Sequence, residues 1–249
     1  MKLTTLLLTT TIALVSTMPL AGVPTIGGTI SIDDSVRSAS DLKRDKTSKP
    51  RKVIEFANIG LGMKVADILG GGGYYSEMLS QVVGPQGKVY LHNNQTYLKY
   101  VGKELKQRVD GKRLSNVVDY QREMDDLGFK DGSLDAVFFV LGYHDMYHSS
   151  DEWHIDAKDL LAQLNRALEP GGTLLVIDHA APQGTGTKHS QKLHRVDEDY
   201  VKQELLSSGF VFVKSGQMLR NSHDSRKISP FRPEIRRKTD RFVQLYSKK

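Results

Sequence analysis

Cysteine is absent from all 249 residues. That excludes disulfides, thiolate metal ligands and a thiol nucleophile, and leaves stability to packing. A membrane-spanning run is lacking as well. The apolar stretch in MKLTTLLLTTTIALVSTMPLAG is too short and too Thr-rich for the roughly 20 apolar residues that a span requires. Its basic start at Lys2, apolar stretch to about Val15 and small residues at Ala21 and Gly22 predict a secretory signal over 1–22. Val23 follows LAG where a lipid-attachment cysteine would stand. The expectation is therefore a periplasmic or secreted protein with no stable membrane insertion after signal removal. Nucleic-acid motifs are also missing. The net charge of +6, modestly concentrated in RPEIRRKTDR, reads as a solvated face, and no nucleic-acid partner is expected.

What is present is an ordinary globular composition, 39% hydrophobic and 26% charged, enough for one α/β domain. Residues 23–49 read as a polar arm or short helical lead-in, and residues 50–249 as the domain. Within it, strand-like and helix-like runs alternate. MKVADIL, GKVYLHN, SNVVDYQ, LDAVFFVLG and GGTLLVIDHA have strand character; RKVIEFANI, YYSEMLSQVV, YLKYVGKELKQRV, IDAKDLLAQLNRAL and DEDYVKQELLSSG have helix character. Such alternation predicts a mostly parallel sheet with helices on both faces. FVFVKSGQML and RFVQLYS have no crossover helix between them, so they are expected to pair antiparallel.

Between the first strand and its helix stand four glycines, Gly70, Gly71, Gly72 and Gly73. A glycine-rich turn here lets backbone approach a ligand and points free N–H groups at it. Two uses are disfavoured by what is missing. Tyr75 occupies the third small-residue position of a dinucleotide fingerprint, and no Lys-Ser or Lys-Thr follows for a phosphate loop.

The stretch GLGMKVADILGGGGYYSEMLSQVVGPQGKVYLHN resembles the first motif of class I S-adenosylmethionine-dependent methyltransferases. REMDDLGFKDGSLDAVFFV, LNRALEPGGTLLVIDH and the final strand pair are similar to later parts of the same pattern, over roughly residues 50–249. GGGYYSE, YHDMYH, DHAA, LHRVDEDYVKQEL and KTDRFV further resemble a group of predicted secreted bacterial methyltransferases. The resemblance implies a Rossmann-like seven-stranded sheet, mostly parallel with an antiparallel C-terminal strand, and S-adenosylmethionine as cofactor. It implies that Asp67 holds the amino-acid end of that cofactor and that Gly71 and Gly73 are the second and third glycines of a G-x-G-x-G turn, with Leu69 in place of the first. Asn93, or next Asn94, falls where the family carries a ribose-gripping acid, and Glu123 with Met124 falls near the adenine.

Ligands of open α/β sheets lie beyond the carboxyl ends of the strands, here LGYHDMYH and IDHAAPQGTGT. Methyl transfer asks for alignment and, with a protonated acceptor, removal of a proton. His144 is the first candidate for the proton. Asp145 would orient it, Tyr143 would line the sulfonium, and His179 and His194 with Arg195 would close the other wall. Arg220, Asn221 and Arg226 are candidates to grip an anionic substrate group. His144 and His148 have i, i+4 spacing, with Asp145 and Asp178 nearby, but the glutamate of H-E-x-x-H is missing and no resident metal is assigned. The expected function is an exported methyltransferase acting on a small molecule or envelope component. A non-catalytic nucleoside-binding protein and a metal-dependent hydrolase are the alternatives.

Overall fold

The computed structural model describes residues 31–249, so the signal expected over 1–22 lies outside the described residues. In chain order the elements are α1 (Ala39–Ser48), α2 (Pro50–Phe56), β1 (Lys64–Ile68), α3 (Tyr74–Val83), β2 (Lys88–Asn93), α4 (Gln95–Val109) and β3 (Val117–Gln121). There follow β4 (Leu134–Val140), α5 (Ala157–Ala167), β5 (Leu168–His179), α6 (Ser190–Leu193), α7 (Glu198–Ser207), β6 (Phe210–Gly216) and β7 (Arg241–Lys248).

The strands form one sheet in the order β3-β2-β1-β4-β5-β7-β6. Pairs from β3 through to β5 are parallel, and β7 runs antiparallel between β5 and β6. This is the Rossmann-like methyltransferase sheet. The last two strands do pair antiparallel, although they are separated by the long segment 217–240. Strand order reverses between β1 and β4, which opens a crevice at their carboxyl ends.

Central strands are buried along most of their length because both faces are covered. In β1, Val65, Ala66, Asp67 and Ile68 are all buried. On one face α5 and α7 pack Leu160, Leu161, Leu164, Val201 and Leu205 against the sheet; on the other, α2 and α3 pack Val53, Ile54, Met78 and Leu79. Each such side chain contributes about 1.5–3 kcal/mol by leaving water.

The segment read as a polar arm is helical from Asp34 on and buries polar residues. Ser38 caps α1 by accepting from the Asp41 N–H, and Lys49 in a left-handed conformation ends it, with Pro50 opening α2. From α1, Asp41 meets Arg108 of α4 at 2.8 Å, and Asp45 accepts from the Tyr74 hydroxyl at 2.7 Å. Arg44 lies 3.8 Å from the centre of the Tyr74 ring, a cation-π contact. So α1 is pinned to the first turn of α3 and the last turn of α4, beside the crevice.

Candidate functional site

A cleft of about 180 Å³ lies at the carboxyl ends of β1 and β4; Asp67, the glycine turn, Tyr97 of α4 and Leu141 line it, and Arg44 of α1 roofs it. The turn's backbone explains its sequence. Leu69, Gly71 and Gly73 have φ of 50, 60 and 81° respectively, so alternate residues are left-handed. Glycine takes this conformation without strain, whereas a side chain there costs about 1–2 kcal/mol. Leu69 therefore keeps the backbone geometry expected of a glycine and tolerates it because its side chain is buried in the core. At Gly70 the requirement is space: a Cβ would stand 2.6 Å from Leu91 and 2.8 Å from the Asp67 carboxyl.

Asp67 ends β1 fully buried, and its carboxylate accepts from the Ser76 hydroxyl at 2.7 Å. Burial pushes its pKa up to about 6, with the Ser76 hydrogen bond working against the rise. An unpaired buried carboxylate suits a ligand that presents an ammonium group, whereas the expected free N–H groups of the turn are mostly taken: Leu69 and Gly70 donate to His92, Gly71 to Asn93 and Gly73 to the Gly70 carbonyl.

Asn93 ends β2, where the ribose-gripping residue is expected, but its amide is engaged by the turn. Its Oδ1 accepts from the Gly71 N–H at 2.9 Å, and its Nδ2 donates to the Gly71 carbonyl at 3.0 Å. Both ends of the amide are used to hold the turn. Asn94 is likewise taken, capping α4 by accepting from the Tyr97 N–H. Glu123 accepts from the Gln95 N–H at 3.1 Å, also at the start of α4, and Met124 is buried below it. Beside Asn93, His92 accepts from the Leu69 N–H at 3.4 Å and donates through Nε2 to the Arg122 carbonyl. Burial holds its pKa down to about 4, so it stays neutral.

A buried ionic cluster that sequence reasoning missed completes the turn's support. Arg108 of α4 donates to the Gly72 carbonyl and pairs with Asp41 of α1 and Glu77 of α3. Arg113 pairs with Glu77 from the other side. Arg108 reads as one more cation in KELKQRV, and the only sequence signal was a glutamate four residues into the helix that follows the glycines.

At the other end of the crevice, β4 leaves the sheet through left-handed Leu141 into the 3-10 turn His144–Tyr147. There three of the five candidate reactive residues converge. His144 Nε2 lies 3.1 Å from Asp145 Oδ1 and 3.3 Å from His194 Nδ1, and the last two atoms are 3.6 Å apart. Asp178, fully buried at the end of β5, orients His144 by accepting from its Nδ1 and its backbone N–H, each at 2.8 Å. Burial disfavours charge on His144, yet the Asp178 and Asp145 carboxylates carry its pKa up to about 10. Burial also opposes ionisation of Asp145, but His144 and His194 hold it well below the usual carboxylate range. As it stands His144 is an imidazolium between two carboxylates, not a free base.

The remaining candidates are drawn off by other partners. Tyr143 does not line the cleft: its ring is fully buried, tilted against Phe139 at 5.7 Å, and its hydroxyl donates to Glu204 of α7. His179 contacts the Thr239 hydroxyl at 2.7 Å and is kept neutral by burial and by the neighbouring His144 and arginines. The helical spacing of His144 and His148 is not realised, because the 3-10 turn has three residues per turn. His148 instead stacks on His194 at 5.5 Å. Arg195 is fully buried, forked onto Asp224 at 2.9 and 3.1 Å, and anchors the 217–240 segment. Arg220 and Arg226 pair with Asp240, and the Asn221 side chain donates to the Lys238 carbonyl, so each already has a partner within the protein.

The two ends are joined by packing. The Tyr97 ring stands 6.2 Å from Trp153, whose indole N–H donates to the Asp145 carbonyl at 2.8 Å.

Residues 32–230 match the model of the ubiE/COQ5 methyltransferase family. The chain belongs to this family. With it the chain falls among the class I S-adenosylmethionine-dependent methyltransferases. It is 32% identical over 131 residues to a ubiquinone/menaquinone biosynthesis C-methyltransferase of Saccharophagus degradans, covering 52% of this chain and 48% of that protein. To the Hahella chejuensis enzyme of the same name it is 31% identical over 155 residues, 60% of this chain and 58% of that one. The chain thus spans about half to three-fifths of the length of these curated relatives. Among solved structures, a SAM-dependent methyltransferase from Aquifex aeolicus superposes with a TM-score of 0.59 at 21% identity, over 87% of this chain and 99% of that one. The family's cofactor fits the residues present at its amino-acid end, where Asp67 and the left-handed turn stand ready. At the ribose end the usual carboxylate is replaced by an amide that is already bonded.

Proposed function

We propose that this chain is an exported methyltransferase that binds S-adenosylmethionine in the cleft over residues 67–73 and methylates a small molecule or envelope component. The observation that carries the reading is the pairing of a buried, unpaired Asp67 with a turn left-handed at 69, 71 and 73. When bound, the cofactor supplies an electrophilic methyl group on a sulfonium. Asp67 holds its ammonium, and Tyr97 and Leu141 exclude water from the middle of the cleft.

The acceptor enters at the His144–Asp145–His194 end. His194, whose side chain is 25% exposed, is the member of that cluster open to an acceptor and takes its proton, while the pinned His144 holds the charge balance beside it. A quinone-type carbon acceptor is the first to test, since that chemistry is in the names of the relatives. The N-terminal 22 residues support export. Calorimetry with S-adenosylmethionine and S-adenosylhomocysteine tests the cleft, and labelled-methyl transfer with wild type and His194→Ala tests the chemistry. Absence of binding at millimolar cofactor overturns the reading. Binding without transfer to any acceptor favours a nucleoside-binding protein, which the bonded Asn93 amide also supports.

A further inference from the structure

The polar cluster beside the cleft has a geometry that proton transfer alone does not require. Its three facing atoms, His144 Nε2, Asp145 Oδ1 and His194 Nδ1, form a triangle with sides of 3.1, 3.3 and 3.6 Å. A circle through them has a radius of about 1.9 Å, so a point about 2.0–2.2 Å from all three lies just off their plane, the bond length of zinc to nitrogen and carboxylate oxygen. From the geometry we infer that His144, Asp145 and His194 form a binding site for a divalent first-row transition-metal ion.

Three further features support the assignment. Asp178 accepts from His144 Nδ1, so the proton that an incoming ion displaces is the one on Nε2, which faces the triangle. A carboxylate behind a metal-bound imidazole is the usual outer partner of such ligands. The ligand carriers are rigidly placed: Gln191 of α6 bonds the backbone of Ser149 at 2.8 and 3.2 Å, tying the helix that presents His194 to the turn that presents His144. His194 itself is left-handed, with φ of 49°, a conformation that a histidine holds at a cost. Lastly, Asp145 and His194 side chains are 20 and 25% exposed, whereas His144 is 4% exposed. The protein thus supplies three ligands from within and leaves an outward face for water or an acceptor oxygen. Two imidazoles and one carboxylate suit zinc, iron(II), cobalt(II) or manganese, and disfavour magnesium and calcium, which take oxygen ligands.

The site stands on the cluster's own geometry and does not depend on methyl transfer. If the proposed function also holds, the ion polarises an acceptor hydroxyl, and His194 then serves as ligand rather than base.

The test uses the purified protein stripped with chelator and dialysed. Titration calorimetry with zinc is expected to give one ion per chain at micromolar affinity or tighter, and magnesium no measurable heat. Cobalt(II) is expected to give the visible d–d absorption of a four- or five-coordinate site. His194→Ala, a partly exposed position, and Asp145→Asn are each expected to weaken zinc binding by at least about 100-fold and to abolish the cobalt band. Circular dichroism and S-adenosylhomocysteine affinity check that each variant is folded. The inference is overturned if the stripped wild type takes up no zinc at 100 times the protein concentration, or if His194→Ala binds it as tightly as wild type. Metal binding without cofactor binding leaves the site standing and removes the methyltransferase reading. The reverse result removes the site alone.

Discussion

Replacing Asp67 by asparagine is expected to stabilise the protein while disabling it. The carboxyl is buried completely, and its pKa rises on folding from 3.8 to about 6. The folded state therefore holds the proton more tightly than the unfolded state does. Below pH 4 the carboxyl is protonated in both states and costs nothing. Between pH 4 and 6 the cost of burying its charge grows, and above pH 6 it is constant at about 3 kcal/mol. Asparagine carries no charge to bury and can still accept from the Ser76 hydroxyl, but its amide protons need partners, which returns part of the gain. A net increase of about 1–3 kcal/mol in unfolding free energy is expected at pH 7.5, shrinking toward zero or reversing at pH 4. Urea unfolding at several pH values, followed by the fluorescence of Trp153, measures it. The cofactor should respond in the opposite sense. Wild-type affinity is expected to fall about tenfold per pH unit below 6, and Asp67→Asn to bind weakly at every pH. A stability difference between wild type and variant that does not change with pH refutes the argument, because it means that the carboxylate is not paying a burial cost in the folded protein.

Other positions test the turn and its supports. Leu69→Gly relieves about 1–2 kcal/mol of left-handed strain but empties a buried site worth about 2–5 kcal/mol, so denaturant melts should show a net loss of about 2 kcal/mol. Asn93→Asp installs the ribose acid typical of the family, yet it sets a carboxylate oxygen against the Gly71 carbonyl. A loss of about 3 kcal/mol in stability and weaker, not tighter, cofactor binding by calorimetry are expected. Arg108→Met strands Asp41 as a buried carboxylate and leaves Glu77 with Arg113 alone; it should cost about 3–5 kcal/mol in denaturant melts, much of it restored when Asp41 is also made apolar.

Most of the sheet was readable because strand and helix periods are local. All of the strand runs, and the five helix runs taken for α2, α3, α4, α5 and α7, stand where the apolar pattern put them, within a few residues at their ends. The lead-in helix α1 was only half legible. It has no apolar face to give a periodic signal: what it buries is Asp41 and Ser48, and the partner of Asp41, Arg108, lies in another element far along the chain. The same distance problem governs the site. Histidine spacing suggested a helix face shared by His144 and His148, whereas the convergence is with His194, 50 residues on, carried by a four-residue helix too short to leave a periodic signal. Tyr143 misled in another way. Its position after β4 was right for the crevice, but side-chain direction in a tight turn is not set by position, and Glu204 offered its hydroxyl a buried partner.

Taken together, the backbone and the charges divide the crevice into two unlike halves. On the β1 side the residues arrange a turn and leave one carboxylate, Asp67, without a cation; the cations nearest to it, Arg108 and Arg44, are engaged by other acids or by the Tyr74 ring. On the β4 side two carboxylates, Asp145 and Asp178, flank the one imidazolium of His144, which offsets only one of them, so the cluster keeps an excess of negative charge in keeping with the divalent ion inferred there. Binding free energy is therefore available at both halves, but to different cations. A ligand with an ammonium group gains by entering beside Asp67, whereas a metal ion gains among His144, Asp145 and His194, whose two imidazoles an ammonium group could not use as ligands. The division sets the ammonium end of the cofactor beside Asp67 on electrostatic grounds alone, independently of the family to which the chain belongs.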